Sequence, residues 1–161
     1  MDYNKRWAPD FCVDVLFWDY KADFQLGDFH TVAIGLPCTE FSAALTTRRR
    51  NWAYADRLAR KALEIKDYLK PQKWWLENPR NGWLPKRPYM ADILYVDVDY
   101  CQYANWGYQK PTRIWGSPNF LTFQPLRCDG VSCPNLIESP TKVKRHHRVR
   151  LSSPHQNISS F

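Results

Sequence analysis

Apolar residues in this 161-residue chain gather in short runs, broken by turn-forming and charged segments. Phe11-Cys12-Val13-Asp14-Val15-Leu16 reads as a strand ending near Trp18-Asp19-Tyr20, and Leu26-Gly27-Asp28 reads as a turn. Thr31-Val32-Ala33-Ile34 has the length and character of a buried strand. Asn51 can cap a helix over 52–69, in which Ala55, Leu58, Ala62, Ile65 and Leu69 step by three and four to make one apolar stripe. Pro71 stops that helix, and a second buried strand follows over Lys73 to Leu76. Strand, helix, strand in this order implies a right-handed crossover and a parallel sheet, so the predicted fold class is α/β. Ile93 to Val98 alternates apolar and polar residues, and Arg113-Ile114-Trp115 is a further short strand candidate. From Pro118 onward the pattern decays. The predicted organisation is a core over 1–120 and a poorly structured basic tail over 121–161.

The chemistry sits at the ends of two of these strands. Gly35-Leu36-Pro37-Cys38-Thr39-Glu40-Phe41-Ser42 follows the Thr31 run, and Glu77-Asn78-Pro79 follows Trp74-Trp75-Leu76. The carboxyl ends of parallel strands are where α/β folds bind ligands. A thiol and a carboxylate delivered to that rim make a nucleophile and acid pair. A lone Cys after a strand is usually a small buried hydrophobe, and a Glu before Asn-Pro is often a turn residue. Their joint presence favours the catalytic reading.

Pro37-Cys38 with Phe41-Ser42 resembles the Pro-Cys-x-x-Phe-Ser catalytic loop of the DNA (cytosine-5)-methyltransferases. Glu77-Asn78-Pro79 is similar to that family's Glu-Asn-Val or Glu-Asn-Pro motif, and the stretch from Tyr103 through Gln109 to Arg113 is similar to its later Gln and Arg motif. The resemblance covers roughly residues 1 to 120 and keeps the family's order. It implies a class I methyltransferase-like (Rossmann-like), parallel-rich sheet that moves a methyl group from S-adenosylmethionine to carbon 5 of a flipped-out cytosine in DNA. Cys38 then forms the covalent adduct, Glu77 bonds ring nitrogen N3, and Arg113 fixes the base carbonyl or a phosphate. Asp14 matches an acid that contacts adenine, and Asp2 the acid that binds ribose; Pro37 is assigned to the cofactor side. The family's first strand and Gly-rich cofactor loop have no match, because none of the six Gly residues forms such a cluster. Three readings stay open: a fragment truncated at its amino terminus, a partner that supplies the missing cofactor-binding or target-recognition parts, or an inactive remnant that binds nucleic acid or a partner subunit. The small size suits a viral or phage-like member.

Charge and cysteine usage adjust this picture. A net charge of +7 and a pI near 9.2 lean towards a polyanionic partner. DNA is the expected one, with RNA as a further option. Arg48, Arg49 and Arg50, just beyond the Cys38 loop, and Gln109 are candidate nucleic-acid contacts; a solvated run of charge is the competing view of the arginines. Lys142, Lys144, Arg145, Arg148 and Arg150 add charge to the tail. Five cysteines in no disulfide pattern, with no secretory signal and no membrane-length apolar stretch, read as reduced thiols in an intracellular protein, cytoplasmic or nuclear. Cys128-x4-Cys133 followed by His146-His147 invites a zinc site, but the spacing is loose, and the sequence assigns no metal ligand.

Overall fold

The structure, a computed structural model, describes Asp2, residues 4–105, residues 109–138 and the backbone of residues 144–146. The chain divides into two units, Met1–Val98 with Pro111–Pro125, and Asp99–Lys110 with Leu126–Phe161. The expected boundary near residue 120 is therefore not where the chain divides. Residues 99–110 leave the first unit at the end of one strand, and the chain returns to it at the start of the next. The expected tail contains two short strands, and its Lys142, Arg148 and Arg150 lie outside the described residues.

In the first unit a short helix α1 (Tyr20–Asp23) precedes strand β1 (Thr31–Gly35), helix α2 (Trp52–Leu69), strand β2 (Lys73–Pro79), strand β3 (Tyr95–Asp99) and strand β4 (Pro111–Gly116). The sheet order is β1-β2-β4-β3. β1 and β2 are parallel, joined through α2, while β4 is antiparallel to β2. The parallel-rich sheet of the sequence reading is thus a mixed sheet.

Helix α2 spans the residues its sequence pattern indicates. The Asn51 side chain accepts from the Tyr54 N–H at 3.1 Å, and Lys70 ends the helix in the left-handed conformation. Ala55 and Ala59 are buried with Phe41, Leu76, Leu84, Met90 and Trp115 in one cluster, and Ile65 and Leu69 are buried with Tyr20 in another. Leu58 and Ala62, from the same stripe, instead line a cavity of about 880 Å³.

Two expectations fail here. Phe11 to Leu16 is not a strand: the Asp14 side chain accepts from the Leu16 N–H at 2.9 Å and the Asp14 carbonyl from the Phe17 N–H at 3.0 Å. Local turn bonding by an aspartate overrides the apolar alternation around it. All that remains of extended pairing is an isolated parallel bridge, Asp2 to Cys12. Trp18 and Phe24 pack against the Tyr20, Ile65 and Leu69 cluster, while Phe17 is exposed. Secondly, β2 runs on through Glu77, Asn78 and Pro79, because these pair with Ile114, Arg113 and Thr112 of β4.

Candidate active site

Cys38 lies exposed in the loop that follows β1. The parallel register sets Gly35, the last residue of β1, opposite Glu77. Glu77 therefore stands where β1 gives way to the Cys38 loop. Residues directly across a ladder share a sheet face. Glu77 shares one face with Ile114, and Asn78 shares the other with Arg113.

Asn78 is 1% exposed, and its Nδ2 donates to the Leu36 carbonyl at 3.2 Å. That bond ties the entry of the Cys38 loop to the strand carrying Glu77, so Asn78 is a positioning residue. Its motif marked it in the sequence, but only the strand pairing gives it this task. Asn78→Ala should destabilise the protein by about 1–3 kcal/mol, since a buried hydrogen bond is lost. Urea unfolding would show this as a lower midpoint at an unchanged slope.

The far side of the loop is tied down by Glu40, which the sequence reading passed over. It forms an ion pair with Arg48 and accepts the Asn51 N–H at 2.7 Å. The Arg48 guanidinium, then the Asn51 N–H, hold its carboxyl below the usual range. Its folded pKa is lowered, so its contribution is complete above the ordinary Glu value and is lost as pH falls through the lowered one. Limited proteolysis should accordingly cut the 38–51 segment faster as pH drops through that window, and Glu40→Gln should remove this pH dependence.

Arg50 donates from Nη2 to the Ser42 carbonyl at 2.8 Å, and its guanidinium lies 5.6 Å from the centre of the Trp52 ring. Further along, the Trp83 N–H donates to the Phe41 carbonyl at 2.7 Å. The neighbouring Gly82 has no room for a side chain, because a Cβ there would sit 2.9 Å from the same oxygen. Two of the three arginines of the 48–50 run are thus occupied in shaping the loop. Arg49 is exposed, and among the described residues its side chain makes no hydrogen bond or ion pair.

Arg113 presents its donor fork to Asp97, with Nε to Oδ1 at 2.7 Å and Nη2 to Oδ2 at 3.0 Å, and lies 3.6 Å from the centre of the Tyr95 ring. The fork expected to address a base or a phosphate is closed on a carboxylate. Gln109 belongs to the second unit, where its carbonyl accepts the Cys101 N–H at 3.4 Å. Trp106, Gly107 and Tyr108 of the same motif lie outside the described residues.

The three residues assigned to the cofactor, Asp2, Asp14 and Pro37, line the 880 Å³ cavity together. Its floor is apolar, from Val32, Ile34 and Leu58. Asp2 and Asp14 each use Oδ1 to accept a backbone N–H, from Asn4 and Leu16, which fixes both carboxylates at the rim. Sites for small ligands have this size and this mix of apolar wall and few polar groups. Among the described residues no helix is long and apolar enough to cross a membrane.

No family model matches the chain. A probable DNA (cytosine-5)-methyltransferase of Frog virus 3 (isolate Goorha) is 34% identical to it over 151 residues, covering 86% of this chain and 69% of the relative.

Proposed function

The chain belongs to the DNA (cytosine-5)-methyltransferase family, and from that premise we propose that it methylates carbon 5 of cytosine in DNA through an adduct on Cys38. The observation that carries this reading is the parallel register that sets Glu77 opposite Gly35, at the root of the Cys38 loop. A thiol on a loop and a carboxylate on the adjacent strand end are what the chemistry needs.

Carbon 5 of cytosine is a poor nucleophile. Cys38 as thiolate adds to carbon 6, and the electron pair of the 5,6 double bond shifts to make carbon 5 enamine-like. Glu77, protonated, gives a hydrogen bond and then its proton to N3, which neutralises the charge the thiolate brings in. S-adenosylmethionine, when bound, supplies the electrophilic methyl group. Loss of the proton from carbon 5 to solvent then restores the double bond and expels the Cys38 thiolate, and N3 returns its proton to Glu77. The target carbon is out of reach in a stacked duplex, so the base is flipped or taken from a single strand.

The cavity lined by Asp2, Asp14 and Pro37 suits that cofactor: carboxylate oxygens can accept from ribose hydroxyls and from an adenine amine, and Val32, Ile34 and Leu58 offer an apolar wall for the ring. The parallel β1 and β2 pair bridged by α2 supports a class I methyltransferase-like sheet. We assign Arg113 a positioning role through Asp97, and Arg49 the phosphate contact of the arginine run. Each phosphate contact on duplex DNA adds about 0.9 to the slope of log affinity against log salt. Arg49→Ala should flatten that slope by about this amount, while leaving the Glu40 and Ser42 contacts of its neighbours in place. An unchanged slope in a salt titration by fluorescence anisotropy would remove Arg49 from the DNA surface.

Transfer of label from methyl-tritiated S-adenosylmethionine tests the whole reading. Label should enter unmodified DNA and be absent from DNA whose cytosines already carry a 5-methyl group. Equal labelling of both would place the methyl group elsewhere, and label on RNA alone would change the substrate class.

A second reading, an inactive relative that binds nucleic acid or a partner subunit, draws on β1. Among the described residues this strand pairs on one side only and leaves Thr31, Ala33 and Gly35 exposed. Parallel strands are normally covered on both faces. No label transfer to any substrate, with DNA binding intact, would favour it.

A further inference from the structure

Among the described residues of the second unit the buried side chains are Asp99, Cys101 and Cys133, while Tyr103, Leu126, Val131 and Ile137 are exposed. Small domains commonly use a structural metal as a staple.

The thiols are arranged to provide one. The sulfurs of Cys101, Cys128 and Cys133 all lie within 4.8 Å of one another. Tetrahedral zinc bound to thiolates at about 2.3 Å brings sulfurs to within about 3.8 Å of each other, a small contraction from this arrangement. A disulfide would consume two of the three and strand the third. The surrounding donors point at sulfur: the Gly130 N–H donates to Cys128 Sγ at 3.3 Å, and Gln102 Nε2 to Cys133 Sγ at 3.4 Å and Cys101 Sγ at 3.8 Å. Such outer bonds are what hold thiolate ligands in orientation around a metal. The backbone that carries the thiols is pinned as well. Asp99 accepts the Cys128 N–H at 2.9 Å, and Asn135 Nδ2 donates to the Cys101 carbonyl at 2.7 Å.

We propose that Cys101, Cys128 and Cys133 bind a structural zinc ion through their three thiolates. On binding, three S–H bonds break, three Zn–S bonds form, and the protons pass to solvent. Soft thiolates select zinc over magnesium or calcium. The role is structural and independent of methyl transfer, so its test needs no enzymatic readout.

The full chain, produced in zinc-supplemented medium and dialysed, should retain one zinc per chain by mass spectrometry of metal content. Cys12→Ser, which alters an exposed thiol of the first unit, should retain the same amount, and Cys128→Ser should lose most of it. Because a ligand variant can misfold, two measurements use the unaltered chain. Cobalt(II) added to the metal-free protein should give intense visible bands of a tetrahedral site with thiolate charge transfer in the near ultraviolet. Alkylation followed by peptide mass mapping should show zinc protecting Cys128, which is half-buried, while Cys12 and Cys38 react at the same rate with and without metal. Absence of retained zinc together with absence of the cobalt bands overturns the site.

Discussion

Cys38→Ser should abolish covalent trapping on DNA carrying 5-fluorocytosine and take methyl transfer below detection. Fluorine at carbon 5 cannot leave as a proton, so the adduct formed by a competent thiolate stays on the enzyme and shifts the protein in a denaturing gel. A serine hydroxyl is far weaker as a nucleophile at neutral pH than a thiol, whose thiolate fraction is already appreciable there. The loss is chemical and not structural. Cys38 is exposed in a loop, so replacing sulfur with oxygen opens no cavity and leaves the unfolding midpoint unchanged. Cys12→Ser, equally exposed, is the matched control and should trap normally. Trapping that survives in the Cys38 variant would remove this residue from the mechanism.

Glu77→Gln should lower the single-turnover rate by roughly 10²–10⁴-fold, the usual contribution of a positioned general acid. The amide keeps the shape of the carboxyl and its place opposite Gly35 and Ile114, so β2 stays paired on both sides. What it loses is the proton that N3 takes as Cys38 adds. Binding of DNA should change far less than the rate, which separates this effect from damage to the surface. A rate within a few-fold of the parent, at unchanged stability, would assign Glu77 to the sheet and not to the chemistry. Together the two variants divide the reaction. The Cys38 change blocks the adduct outright, and the Glu77 change slows its formation while still permitting trapping over longer incubation.

Much of the frame was legible in consecutive residues. The α2 helix announces itself by its stripe, its Asn51 cap and the proline beyond it, β1, β2 and β4 by short apolar runs, and β3 by the alternation over Ile93 to Val98. The Pro37-Cys38 and Glu77-Asn78-Pro79 motifs likewise carried the family in a few residues, and the viral relative bears that family out. The strand expected over Phe11 to Leu16 failed because Asp14 bonds its own backbone, an alternative that apolar alternation does not weigh.

Partners distant in sequence were not legible. In the sequence Arg113 offers its fork to the base carbonyl or a phosphate, while in the fold Asp97 on the neighbouring strand engages it. Arg48, Arg49 and Arg50 form one basic run in the sequence, yet Glu40 and the Ser42 carbonyl engage the two outer members. Cys128 and Cys133 looked too loosely spaced for a metal because Cys101, the thiol that completes the cluster, comes much earlier in the chain.

Periodicity, capping and motif order are properties of neighbouring residues, and they were enough to specify the family, the α2 helix and the four strands of the first unit. Tertiary structure alone decided which face Glu77 and Arg113 occupy, what holds the Cys38 loop, and which thiols meet. Those outcomes depend on strand register and on chain return, where a shift of one residue would exchange every partner across the ladder.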